Sequence, residues 1–155
     1  MSETEAVAET PPPKPKSARR LTRERAVQTI YTWLLNPGEA RDIKRDARLE
    51  EDFPKLDARL FDKLVDGVTA DPAALRALIA PLIDRKVEEL LPVEHAILLL
   101  GAVELTAHVE TPYRVIINEA VELAKVFGGT DGHRYINGVL DRLAQQVRPD
   151  EAVRR

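Results

Sequence analysis

From Pro92 to His108 the chain reads PVEHAILLLGAVELTAH. Val93, Ile97, Leu100 and Leu105 recur at helical spacing, and Leu98, Leu99 and Val103 fill the remaining sides. A helix that is apolar nearly all round cannot lie on a surface, so other helices must enclose it. That requirement constrains the fold more than any other stretch does. Composition agrees with it. Hydrophobic residues make up 44% of the chain and aromatics only 5%, so the core is chiefly Leu, Val, Ile and Ala. With 32% charged residues and only 7 Gly, these favour helices over strands.

The enclosing helices can be read in order. Residues 1–17 are acidic, then Pro-rich, with nothing to bury, and read as a disordered tail. A first helix runs from about Ala18 to Leu35 and ends at Asn36-Pro37-Gly38. Glu39 to Asp52 has few apolar anchors and reads as a weak helix. Leu60, Phe61, Leu64, Val65 and Val68 mark a clearer one. Asp71-Pro72 reads as cap and first position of the next, which Pro81 kinks or ends. After Glu110-Thr111-Pro112, two amphipathic helices flank a Gly-Gly-Thr-Asp-Gly loop, with Thr130 or Asp131 placed to cap the second. Pro149 and a charged end, residues 150–155, follow. The expected fold is all-α, with about seven helices, no strand and no internal repeat.

Several chemistries are poorly served. Cys is absent, which excludes disulfides, thiolate metal sites and a thiol nucleophile. The only serines, Ser2 and Ser17, lie in the tail. No Glu-x-x-His occurs, so a di-metal carboxylate site lacks its signature, and no metal or cofactor is expected. Glu119 and Glu122 read as a solvated face with local ion pairs rather than a catalytic pair. Gly128-Gly129 stands between helices without a Walker or Rossmann pattern and reads as a helix C-cap. No signal core or stretch of roughly 18 apolar residues is present, so a cytoplasmic protein is expected.

Charge suggests binding instead. The net charge is -3, yet six basic residues lie between Lys14 and Arg25 against one acid, Glu24. At the helical turn angle, Arg19, Arg20 and Arg23 share the side of Val27, Ile30, Tyr31 and Leu34. That placement predicts three guanidiniums at the rim of the bundle, where arginine suits RNA through phosphate pairing and base stacking. A plain solvated helix start is the competing reading. Tyr135 likewise reads either as a stacking platform or as a core aromatic.

The stretches ARRLTRERAVQTIYTWL, VEHAILLLGAVEL and PYRVIINEAVELAKVFGGTDGHRYINGVLDRL together resemble the NusB family of bacterial transcription antitermination factors. The likeness spans residues 18–149. It implies an all-helical fold of two small subdomains and a non-enzymatic, RNA-binding role. Family members bind the boxA element of ribosomal RNA leaders with the ribosomal protein NusE, and act with NusA and NusG on RNA polymerase. By position, the resemblance implies RNA contacts at Arg19, Arg20, Arg23, Phe127, Asp131 and Tyr135, and NusE contacts at Tyr31 and Glu94. Leu21 and Thr22 interrupt what is often a longer Arg/Ala run. Leu99 and Val103 stand where relatives often have Arg and Tyr. The loop and Tyr135 are expected to lie beside the arginines, closing one site from both ends of the chain. A helical protein-interaction module, including a homodimer, and a stand-alone relative of the NusB-like domain of RNA cytosine methyltransferases remain the alternatives.

Overall fold

The computed structural model describes residues 16–127 and 131–152. Most of the proposed tail, the Gly128–Thr130 part of the loop and residues 153–155 lie outside the described residues, and with them the C-cap reading of the glycines. Eight α-helices are described: α1 Ala18–Leu35, α2 Ala40–Arg48, α3 Ala58–Ala70, α4 Pro72–Ile79, α5 Pro92–Ala107, α6 Tyr113–Phe127, α7 Gly132–Val147 and the single turn α8 Pro149–Ala152. No strand occurs among these residues.

Helix α5 is the enclosed one. Helices α1, α3, α4, α6 and α7 all pack on it. Ala96 to Leu105 is buried without interruption. Each fully buried Leu or Ile there contributes about 2 kcal/mol of hydrophobic stabilisation. Two glycines let neighbouring helices approach closely. A Cβ on Gly101 would lie 2.8 Å from Leu140 Cδ1 on α7, and one on Gly67 of α3 would lie 2.6 Å from Val103 Cγ1. Leu99 and Val103 are both buried, so these two departures from the family pattern belong to core packing and not to a contact surface.

The helix boundaries follow local chemistry. Ser17 caps α1 by accepting from the Arg20 amide (3.1 Å), so it belongs to the helix start rather than to a tail. Asp57 caps α3 through the Leu60 amide, and Asp71 caps α4 ahead of Pro72. Pro81 does not kink a long helix: α4 stops at Ile79 and a 3-10 turn covers Ala80–Leu82. A linker then leads through Asp84 and Arg85 to α5.

Candidate nucleic-acid interface

The three N-terminal arginines have different fates. Arg19 is exposed and lies 3.7 Å from Asp57. Arg20 is partly exposed and makes a two-point pair with Glu119 of α6, Nε to Oε1 at 3.1 Å and Nη2 to Oε2 at 2.8 Å. Glu119 thus joins a long-range pair, whereas Glu122 pairs locally with Lys125 as expected. Arg23 corrects the reading of three guanidiniums at the rim. It is 4% exposed and forks onto Glu104 inside α5, at 2.9 and 2.8 Å. A charge in the enclosed helix has to be matched, and Arg23 is the residue whose position on the core side of α1 lets it do so. Thr22 is also buried. Its hydroxyl donates to the Ala18 carbonyl and accepts from the Asp57 amide, which ties α1 to the start of α3.

Burial would push the Glu104 carboxyl up, but Arg23, and then the His108 ring, overcome it and hold the value down at about 2. His95 is shifted to about 4 by burial and by the charge of Arg76, whose Nε donates to His95 Nε2 at 3.2 Å. Both folded-state values lie below the ordinary ones of 4.5 and 6.5. The unfolded chain therefore takes up protons first as pH falls, and stability is lost downward through each window. Thermal unfolding followed from pH 8 to 3 should show a decline beginning near 6.5, attributable to His95, and a further one below 4.5 from Glu104. His95→Gln should flatten the upper part. An unchanged slope there would remove His95 from the account.

The other expected site residues gather at the far end of α1. Tyr31 is 39% exposed and lines an open groove with Val27, Gln28, Thr32, Val93 and Phe127. Phe127 is half-buried against the core. Asp131 is exposed and precedes α7, but its side chain makes no capping hydrogen bond among the described residues; its carbonyl accepts from Arg134 at 3.2 Å. Glu94 is not a surface residue. It is 7% exposed, and its Oε2 would lie 3.0 Å from a Cβ on Gly132, against the first turn of α7. A carboxylate there complements the positive end of the helix dipole.

Tyr135 is half-buried, and neither of its two expected readings is complete. It packs against the core, its hydroxyl lies 3.4 Å from Asp84 Oδ1, and the Arg85 guanidinium covers its ring with Cζ 4.6 Å from the centroid.

The arginines do not adjoin Phe127. Arg20 meets α6 at Glu119, eight residues before Phe127, so roughly 12 Å of helix separates the two groups. A strand running along α6 could touch both; a single nucleotide could not.

Sequence reasoning missed Arg148. Its guanidinium is buried and donates to the carbonyls of Leu105 (2.9 Å), Thr111 (2.6 Å), Glu104 (3.0 Å) and His108 (2.8 Å), and to Glu151 (3.0 Å). It closes the C-terminal end of α5.

An all-helical core with arginines at the start of α1 and aromatic side chains toward its far end defines a helical binding module. The model of the NusB family matches residues 20–145. The chain belongs to the NusB family. It is 53% identical over 136 residues to the transcription antitermination protein NusB of Paraburkholderia phytofirmans, across 88% of this chain and 94% of that protein. The NusB protein of Burkholderia cenocepacia is 52% identical over the same length, with the same coverage. Among solved structures, a NusB from T. maritima superposes with a TM-score of 0.76 at 24% identity, covering 90% of this chain and 99% of that one. A chain from a crystal structure of the antitermination factors NusB and NusE with dsRNA gives 0.72 at 20% identity, covering 83% and 97%. These two likenesses establish the fold.

Proposed function

We propose that this protein is a non-enzymatic, RNA-binding transcription antitermination factor acting in the cytoplasm. It binds the boxA element of ribosomal RNA leaders together with NusE, and through that complex it works with NusA and NusG on RNA polymerase. The observation that carries the reading is the row along α1 and α6, from Arg19 and Arg20 to Phe127, with Asp131 and Tyr135 beyond it. This is a track for a strand. It has cations to meet phosphates at one end and flat side chains to meet bases at the other. The name of the relatives and the NusB–NusE–dsRNA complex of the same fold support the same assignment. Tyr31, in its groove, is assigned to NusE, and Glu94 is assigned to holding the start of α7 beneath that surface. Arg23 supports the track from inside rather than touching RNA.

The test is a titration of boxA-type RNA at two salt concentrations, with and without NusE. Affinity should fall as salt rises, because phosphate contacts release counterions. NusE should tighten binding; if it does not, the antitermination reading gives way to a protein-interaction module.

Arg20 adds a signed prediction. Its partner Glu119 competes with phosphate, and a partly exposed pair of this kind is worth only about 0–1 kcal/mol, so exchange is cheap. Arg20→Ala should weaken RNA binding and lower the salt slope by about one. Glu119→Gln should strengthen binding. Both variants weakening it equally would mean that the pair acts only as a brace.

A further inference from the structure

Tyr135 does not offer a bare ring. The linker between α4 and α5 folds over it and is held there at three points. Arg142 of α7 donates to the Leu82 carbonyl at 2.7 Å. The Tyr135 hydroxyl meets Asp84 at 3.4 Å. Arg85 stacks on the ring with Cζ 4.6 Å from its centroid and bonds Asp84 through Nε at 2.7 Å.

We infer that Arg85 is a further RNA-contacting residue, forming with Tyr135 a two-layer platform on whose outer guanidinium face an RNA base stacks. The inference rests on the RNA-binding reading above.

Three features of the geometry support it. The exposed layer of the stack is the guanidinium, since the Arg85 side chain keeps 39% of its surface while Tyr135 is half-buried. A guanidinium face is weakly hydrated and stacks on bases, which an ammonium does not do. Among the described residues only Nε is hydrogen-bonded, so the two Nη groups remain available to a base edge or a phosphate. Asp84 selects between those two. Its carboxylate is exposed beside Arg85 and repels a phosphate brought close, which favours contact with the base. Asp84 also fixes the plane of the guanidinium, because its Oδ1 meets both Arg85 Nε and the Tyr135 hydroxyl. The platform is therefore set before RNA arrives, and little ordering has to accompany binding.

The experiment uses the full chain with NusE and a boxA-type single-stranded RNA carrying 2-aminopurine at successive positions. Affinity, salt slope and 2-aminopurine quenching are read for the wild type, Arg85→Ala and Arg85→Lys. Arg85→Ala should lose about tenfold in affinity and abolish quenching at one position, in line with the loss of one stacked base. Its salt slope should stay near that of the wild type if the base is the contact. Arg85→Lys should lose nearly as much affinity as Arg85→Ala, since the charge remains and the plane does not. Thermal unfolding of both variants should match the wild type. Wild-type affinity in Arg85→Ala, or full rescue by Arg85→Lys, overturns the platform while leaving RNA binding intact. A wild-type chain that fails to bind the RNA even at low salt overturns both readings together.

Discussion

Arg148→Met unfolds at a much lower urea concentration than the wild type, with a loss of about 3–4 kcal/mol and a fall in Tm of roughly 10 °C. The reason is the number of acceptors left behind. The guanidinium satisfies carbonyls of Glu104, Leu105, His108 and Thr111 at once. The carbonyls of Leu105 and Thr111 have no backbone donor among the described residues and are enclosed by the chain rather than open to water, while those of Glu104 and His108 also accept from the amides of His108 and Thr111 at 3.0 Å each. Methionine fills much of the same volume and supplies no donor. The positive charge at the negative end of the α5 dipole goes too. Arg148→Lys should recover only part of the loss, because one ammonium cannot reach four carbonyls spread around a planar fork. If Arg148→Met costs less than about 1 kcal/mol, water is replacing the fork and the clamp is not needed.

That residue also marks where the sequence stops being informative. The helices were legible because their signals are local. The enclosed α5 follows from apolar residues on every side, and the start of α4 from Asp71 beside Pro72. Arg148 gives no local signal: it stands next to Pro149 in a charged end, and its partners are some forty residues away in sequence. The arginines at the start of α1 present the same difficulty. Arg20 and Arg23 look alike along the chain, and what separates them is a carboxylate 99 residues away for one and 81 for the other. One signal was available. Glu104 lies inside a helix expected to be enclosed, and an enclosed carboxylate needs a cation. Arg23, one turn before Val27 on the core-facing side of α1, was the cation at hand. Glu94 could have been placed in the same way, as a charge in the first turn of the same helix. The cover that Arg85 lays over Tyr135 was not readable at all, since it depends on how the linker after Pro81 turns back onto α7.

The buried pair yields the other large effect, and it changes how the RNA contacts of this protein should be assayed. Arg23→Ala is expected to cost about 3–5 kcal/mol, because it strands a carboxylate within the core. Glu104→Ala should cost a similar amount by stranding the guanidinium. The double variant Arg23→Met/Glu104→Met should be more stable than either single alanine variant, since neither charge then remains to be desolvated. RNA affinity of Arg23→Ala measured near its melting range would fall for want of folded protein. At a temperature where the variant is fully folded, its affinity should stay within about threefold of the wild type, whereas Arg20→Ala should remain weak. Should Arg23→Ala keep wild-type stability and still lose RNA, the guanidinium must leave Glu104 when RNA binds, and Arg23 would rejoin the arginines that touch it.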